Sequence, residues 1–142
     1  MTEKIRAGRN RTLTVTDTEK DNLSNKLLRL SNYSSIDKKD ILDKTILGDL
    51  FEVIDKIPEQ IADLIIIDPP YNLSKDFNGY KFKSLSNNDY LEYLRYWFPK
   101  VVSILKPNGS LYLCGDWKCT SSLQQVMEEN LTVINRITWQ RE

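Results

Sequence analysis

The run Leu64-Ile65-Ile66-Ile67, entered through Asp63 and closed by Asp68-Pro69-Pro70, constrains this chain more than any other feature. It is too short for a membrane span and has no polar alternation, so it reads as a strand buried on both faces of a parallel sheet. Such a strand delivers its C-terminal end to the crevice where open α/β sheets bind ligands. Two consecutive prolines then stop the ladder and stiffen the exit, because each fixes φ and lacks a backbone donor. The corner presents the Asp68 carboxylate, a Pro69 carbonyl that no helix or strand need claim, and the Tyr71 ring, with Asn72 following. Those groups suit gripping a flat ring that bears an amine.

The rest of the chain alternates strands and helices. Thr16-Asp-Thr-Glu19 has capping-box spacing, and Leu23, Leu27 and Leu30 recur at helical intervals, which predicts a polar N-terminal helix. Thr45–Gly48 reads as a short strand, and Asp49 with Glu52 as the capping pair of a helix that Pro58 ends. Residues 73–86 form a long loop in which Lys75, Lys81 and Lys83 interleave with Phe77, Tyr80 and Phe82. That composition suits either a lid over a flipped nucleotide, with Gly79 as its hinge, or a surface loop whose Phe77, Tyr80 and Phe82 tuck onto the domain. Asn87 or Asn88 is expected to cap the next helix, whose apolar face carries Tyr90, Leu91, Leu94, Trp97 and Phe98, and Pro99 predicts a kink or break within it. Lys106-Pro-Asn-Gly109 is a turn feeding a strand over 110–114, Trp117 is expected either in a pocket or beneath the following helix, and Leu131–Trp139 reads as a last strand. The expected fold class is α/β, a mostly parallel sheet with helices on its faces.

Asp68-Pro69-Pro70-Tyr71 at a strand end resembles the amino-methyltransferases of nucleic acids, and Gly48-Asp49, Asn72, Leu105-Lys-Pro-Asn-Gly-Ser-Leu-Tyr112 and Ile137-Thr-Trp139 extend the match. Together they are similar to the N-terminal half of the circularly permuted DNA adenine type, over roughly residues 45 to 142. The resemblance implies a partial Rossmann-like fold and methyl transfer from S-adenosylmethionine to adenine N6, with cytosine N4 as the alternative. It further implies that Asp68 and Pro69 hold the amine and that Tyr71 stacks on a base turned out of the duplex. Pro70 would shape the methyl-transfer path, and Asp49 with Asp68 would face the cofactor. Asn72 and Lys75 would contact the nucleic acid.

The chain has 142 residues and five glycines, at 8, 48, 79, 109 and 115, none close enough to another for a G-x-G loop. The expectation is therefore a piece of such an enzyme that lacks the C-terminal, cofactor-binding half, with residues 1–44 as a basic and helical extension and 45–142 as the catalytic portion. The partners expected are DNA and that C-terminal half, on the same or a separate chain. A non-catalytic subunit or remnant that binds DNA or a partner is the reading from another class. Twenty basic residues balance twenty acidic ones. Phosphate contacts dominate DNA affinity, so this neutrality fits a chain without its own recognition region. The basic start Lys4, Arg6, Arg9, Arg11 reads as a solvated tail. With no histidine and only Cys114 and Cys119, neither Ser-His or Cys-His catalysis nor a metal site is expected, and the cysteines read as reduced. No run reaches membrane length, which predicts a soluble, cytoplasmic protein.

Overall fold

The computed structural model describes residues 14–77 and 80–139, apart from the side chains of Asn32, Lys75, Phe77, Tyr80 and Phe82. The basic start and the Gly79 hinge lie outside the described residues. The first helix, α1 (Asp17–Ser24), has its capping box: the Thr16 hydroxyl accepts from Glu19 N–H, and the Glu19 carboxylate accepts from Thr16 N–H at 2.8 Å. It buries no residue and stops before Leu27, so the expected leucine stripe does not run along it. Instead Leu30, in a 3-10 turn, packs with Ile36 and Val53 in a small second cluster, beside the one-turn helix α2 (Lys38–Ile41). The strand expected at 45–48 is reduced to a single parallel bridge between Leu28 and Ile46. Asp49 then caps α3 (Leu50–Val53), which a 3-10 turn over Ile54–Lys56 extends to Ile57, just ahead of Pro58.

The central element is β1 (Ala62–Ile67), followed by the hairpin β2 (Lys75–Phe77) and β3 (Tyr80–Phe82), then α4 (Asn87–Ile104), β4 (Leu105–Leu113) and α5 (Thr120–Asn130). β1 and β4 pair in parallel, with Leu64 opposite Ser110 and Ile67 opposite Leu113. The register accounts for Lys106–Gly109: β1 advances from 62 to 64 while β4 advances from 105 to 110, so the turn is an irregularity inside the strand rather than its preface. Gly109 is required there, because a Cβ would stand 2.7 Å from Leu105 Cδ1 and 3.1 Å from the Ala62 carbonyl oxygen.

Pro99 neither breaks nor divides α4, which runs unbroken over eighteen residues. The proline is exposed, and apolar anchors stand on both sides of it, with Trp97 and Phe98 before and Val101 and Ile104 after, all buried. Burial of that face offsets the one lost helical hydrogen bond. α4 and α5 together cover one face of the sheet, and Ile65, Ile67, Leu111 and Leu113 pack against their core.

The other face is open. Leu64 is 53% and Ile66 68% exposed, so β1 is not buried on both sides as its apolar run suggested. The observed sheet is two parallel strands with helices on one face, smaller than the four-strand alternation read from the sequence. Leu131–Trp139 forms no strand among the described residues, and Ile134, Ile137 and Trp139 are exposed. A strand without a neighbour has no ladder to join, whatever its propensity.

Candidate active site at the exit of the first strand

Because β1 and β4 are parallel, both leave the sheet at the same edge. The ladder persists one step beyond β4, where Cys114 N–H donates to the Ile67 carbonyl at 2.8 Å. Past that point the prolines supply no donor, and the chain turns out of the sheet. Asp68 and Pro70 are exposed while Pro69 is buried. Asp68 takes part in no ion pair among the described residues. The carbonyl of Pro69 likewise has no hydrogen-bond partner among them, whereas that of Pro70 accepts from the Tyr90 hydroxyl at 3.4 Å. A carbonyl at a buried residue is ordinarily paired, so Pro69 offers an acceptor that its own fold does not use.

Tyr71 turns its phenol to Asp68. Hydrogen bonding with that carboxylate, then burial and the carboxylate's charge, push the phenol up to about 12. The residue is still 38% exposed, which leaves ring surface open to solvent. Asn72 closes the base of the hairpin: its amide nitrogen donates to the Leu85 carbonyl at 2.9 Å, and its amide oxygen accepts from Leu85 N–H at 2.6 Å. Ser74 continues the zipper through Ser84, whose N–H donates to its hydroxyl at 3.1 Å. Residues 73–86 are therefore a pinned hairpin rather than an open loop. Asn72 spends its amide on that pin. Lys75 opens β2 opposite Phe82.

Asp49 serves as a helix cap: its carboxylate accepts from Phe51 N–H at 2.8 Å, and the reciprocal bond expected from Glu52 is absent among the described contacts. Tyr93 links that cap and the corner: burial first, and then the charge of Asp49, raises its phenol, and its ring stacks on Tyr90 at 6.0 Å. Trp117, placed by sequence in a pocket or under a helix, is 78% exposed, with Lys118 Nζ 5.7 Å from its ring centre. Cys114 and Cys119 are free thiols. No cluster of three or more His, Cys, Asp or Glu suited to a metal occurs among the described residues.

Sequence reasoning placed Tyr90 on the apolar face of its helix and missed its hydroxyl. The available signal was a phenol where phenylalanine would pack as well, since a buried tyrosine OH usually has a partner.

The exit of a parallel strand thus carries a carboxylate and a proline-stiffened aromatic corner. Residues 62–142 match the family model described as DNA methylase, of the N6/N4 type, and the chain belongs to that family. It is 34% identical over 98 residues to the type II methyltransferase M.HpaI of Haemophilus parainfluenzae, covering 68% of this chain and 31% of that protein. Against the type II methyltransferase M.BamHI of Bacillus amyloliquefaciens it is 31% identical over 91 residues, covering 64% and 22%. Against the DNA adenine methyltransferase YhdJ of Escherichia coli strain K12 it is 30% identical over 97 residues, covering 68% and 33%. The chain thus spans about a third or less of the length of these relatives.

Proposed function

We propose that this chain carries the target-base part of an S-adenosylmethionine-dependent DNA methyltransferase acting on adenine N6. One observation carries the reading: an exposed Asp68, in no ion pair among the described residues, stands beside a Pro69 carbonyl that has no partner among them. An adenine amine is a poor nucleophile because its lone pair is delocalised into the ring. Asp68 accepts one N6 hydrogen and the Pro69 carbonyl the other, which favours a pyramidal nitrogen with its lone pair directed outward. S-adenosylmethionine, when bound, would supply the methyl group, its sulfur–methyl bond breaking to leave S-adenosylhomocysteine. As the nitrogen gains its new bond to carbon, its surplus proton leaves along the hydrogen bond to Asp68. Pro70 lines the path, and the open face of Tyr71 stacks on the extruded base, offsetting part of the cost of unstacking it.

Asp49 and Asp68 are exposed anions outside the ion pairs of the described residues, and in sign they fit a sulfonium-bearing cofactor. They fit the acceptor part of such a site, and the remaining contacts come from a C-terminal half on this or a separate chain. Lys75 contacts a phosphate, and Asn72 serves DNA by holding the hairpin. In this reading residues 45–142 are the catalytic portion, residues 1–44 are an extension, and the protein works in the cytoplasm.

The test mixes the chain with methyl-labelled S-adenosylmethionine, DNA and a candidate C-terminal half. Label in N6-methyladenine, abolished by Asp68→Ala, is the expected result; label in N4-methylcytosine selects the alternative base. Absence of transfer with every half would instead support a non-catalytic chain that binds DNA or a partner.

A further inference from the structure

The loops leaving β1 and β4 are joined beneath the surface by contacts that the chemistry above does not use. Tyr90, on α4, is 2% exposed. Its hydroxyl donates to the Pro70 carbonyl at 3.4 Å, and Cys119, buried in the same cluster, donates its S–H to the Asp116 carbonyl at 3.1 Å. Pro70 belongs to the β1 exit and Asp116 to the β4 exit, so one buried chain of groups runs from the first loop to the second through α4 and the start of α5. We propose that Tyr90 is a positioning residue for methyl transfer, fixing the orientation of the Asp68–Tyr71 corner and its spacing from the neighbouring strand exit.

The reason lies in what prolines lack. Pro69 and Pro70 have fixed φ and no N–H, so the corner can be held only through its carbonyls and side chains. The torsion that remains soft at Pro70 is ψ, and it decides where Tyr71 starts. The Pro70 carbonyl reports that torsion directly, and Tyr90 is its hydrogen-bond partner. Holding it places the Tyr71 phenol against Asp68 while the Pro69 carbonyl stays unclaimed. A packing role alone needs only the ring of Tyr90, which stacks on Tyr93 and would do so equally as phenylalanine.

The assignment of a catalytic purpose rests on the proposed methyl transfer; the positioning itself does not, and the test separates the two. Backbone hydrogen exchange is followed in the full chain and in Y90F, together with the phenol carbon resonance of Tyr71, assigned by its loss in Y71F. Y90F is expected to speed exchange at Leu73, whose N–H donates to the Tyr71 carbonyl, about threefold to tenfold, the span of one lost hydrogen bond. It should also shift the Tyr71 phenol resonance and leave Ile65, Ile66 and Ile67 unchanged. Equal acceleration in the strand and the corner would mean a core lesion and overturn the proposal, as would no change in either. If Y90F fails to fold, Cys119→Ala carries the same test, with selective acceleration at Leu73 expected and an unselective or absent effect overturning it. Failure of methyl transfer with these exchange results intact would remove the catalytic purpose and leave the strut.

Discussion

Replacing Gly115 by alanine tests how tightly the second strand exit is packed. A Cβ at that position stands 2.1 Å from Leu123 Cδ1 and 3.6 Å from Cys119 Sγ. Carbon atoms in contact prefer about 3.5 Å or more, so the new methyl requires a displacement of about 1.4 Å. Leu123 has little room to give, because it is buried in the same cluster as Tyr90, Leu94 and Trp97. Overpacking of this kind costs about 1–3 kcal/mol. Leu123→Ala alone removes most of a buried side chain and costs about 2–5 kcal/mol. Combined, the two changes relieve one another, because the methyl at 115 occupies space that the leucine vacated. The double variant should therefore be more stable than the sum of the single losses by about 1–2 kcal/mol, within the usual range for side chains in contact. Urea unfolding at 25 °C, with midpoint and slope fitted together and the slope unchanged, measures all four corners of the cycle. Losses that add to within about 0.5 kcal/mol would refute the close approach of the β4 exit to α5.

Three further outcomes follow from the charges and pins around the site. The raised phenol of Tyr71 contributes stability that is fully present below its ordinary value near 10 and lost as pH rises to about 12. Asp68→Asn removes the main cause and should flatten stability in that window; an unaltered profile between pH 9.5 and 12 would contradict the pairing. The Arg95 guanidinium beside Glu129 holds that carboxyl below the usual carboxylate range, so its contribution is present above that range and fades as pH falls through the depressed value. Glu129→Gln should reduce the acid-side slope in urea midpoints measured from pH 5 to 3, and an unchanged slope would count against the pair. Asn72→Ala removes both bonds to Leu85 and should raise exchange at the Leu85 amide at least about threefold. Protection retained at Leu85 would show that the hairpin closes without that pin.

The chemistry-bearing corner was legible in sequence because its cause is local. An apolar run followed by two prolines stops a ladder wherever it is placed, and β1 does end at Ile67 with Asp68 next. The same holds for the Thr16 cap, whose partner Glu19 lies three residues on. What sequence missed depends on partners. An unbroken apolar run cannot tell a strand covered on two faces from one covered on a single face, and Leu64 and Ile66 show that β1 is the second kind. Leu131–Trp139 has strand composition without a strand to join. Pro99 marks a break only where the flanking helix faces are weakly anchored, and here they are among the most buried residues of the chain. The Tyr90 hydroxyl reaches twenty residues back along the chain, a distance at which spacing carries no signal.

The one-sided sheet makes the origin of the corner's rigidity specific. Ile65 and Ile67 pack against the helical core, whereas Leu64, Ile66 and Tyr112 face away from it and are exposed. Side chains exposed to this degree constrain the strand less than the buried ones do, so the direction in which β1 leaves the sheet is set mainly by its pairing with β4 and by the helix layer. That layer includes α4, whose first turn is capped by Ser86, one residue past the hairpin pin at Leu85. Tyr90 follows one turn later and reaches the Pro70 carbonyl. The hairpin and the start of α4 thus enclose the corner between two attachments to the same stretch of chain, at Leu85 and at Tyr90. The acidic corner inherits its geometry from α4 more than from the strand that delivers it.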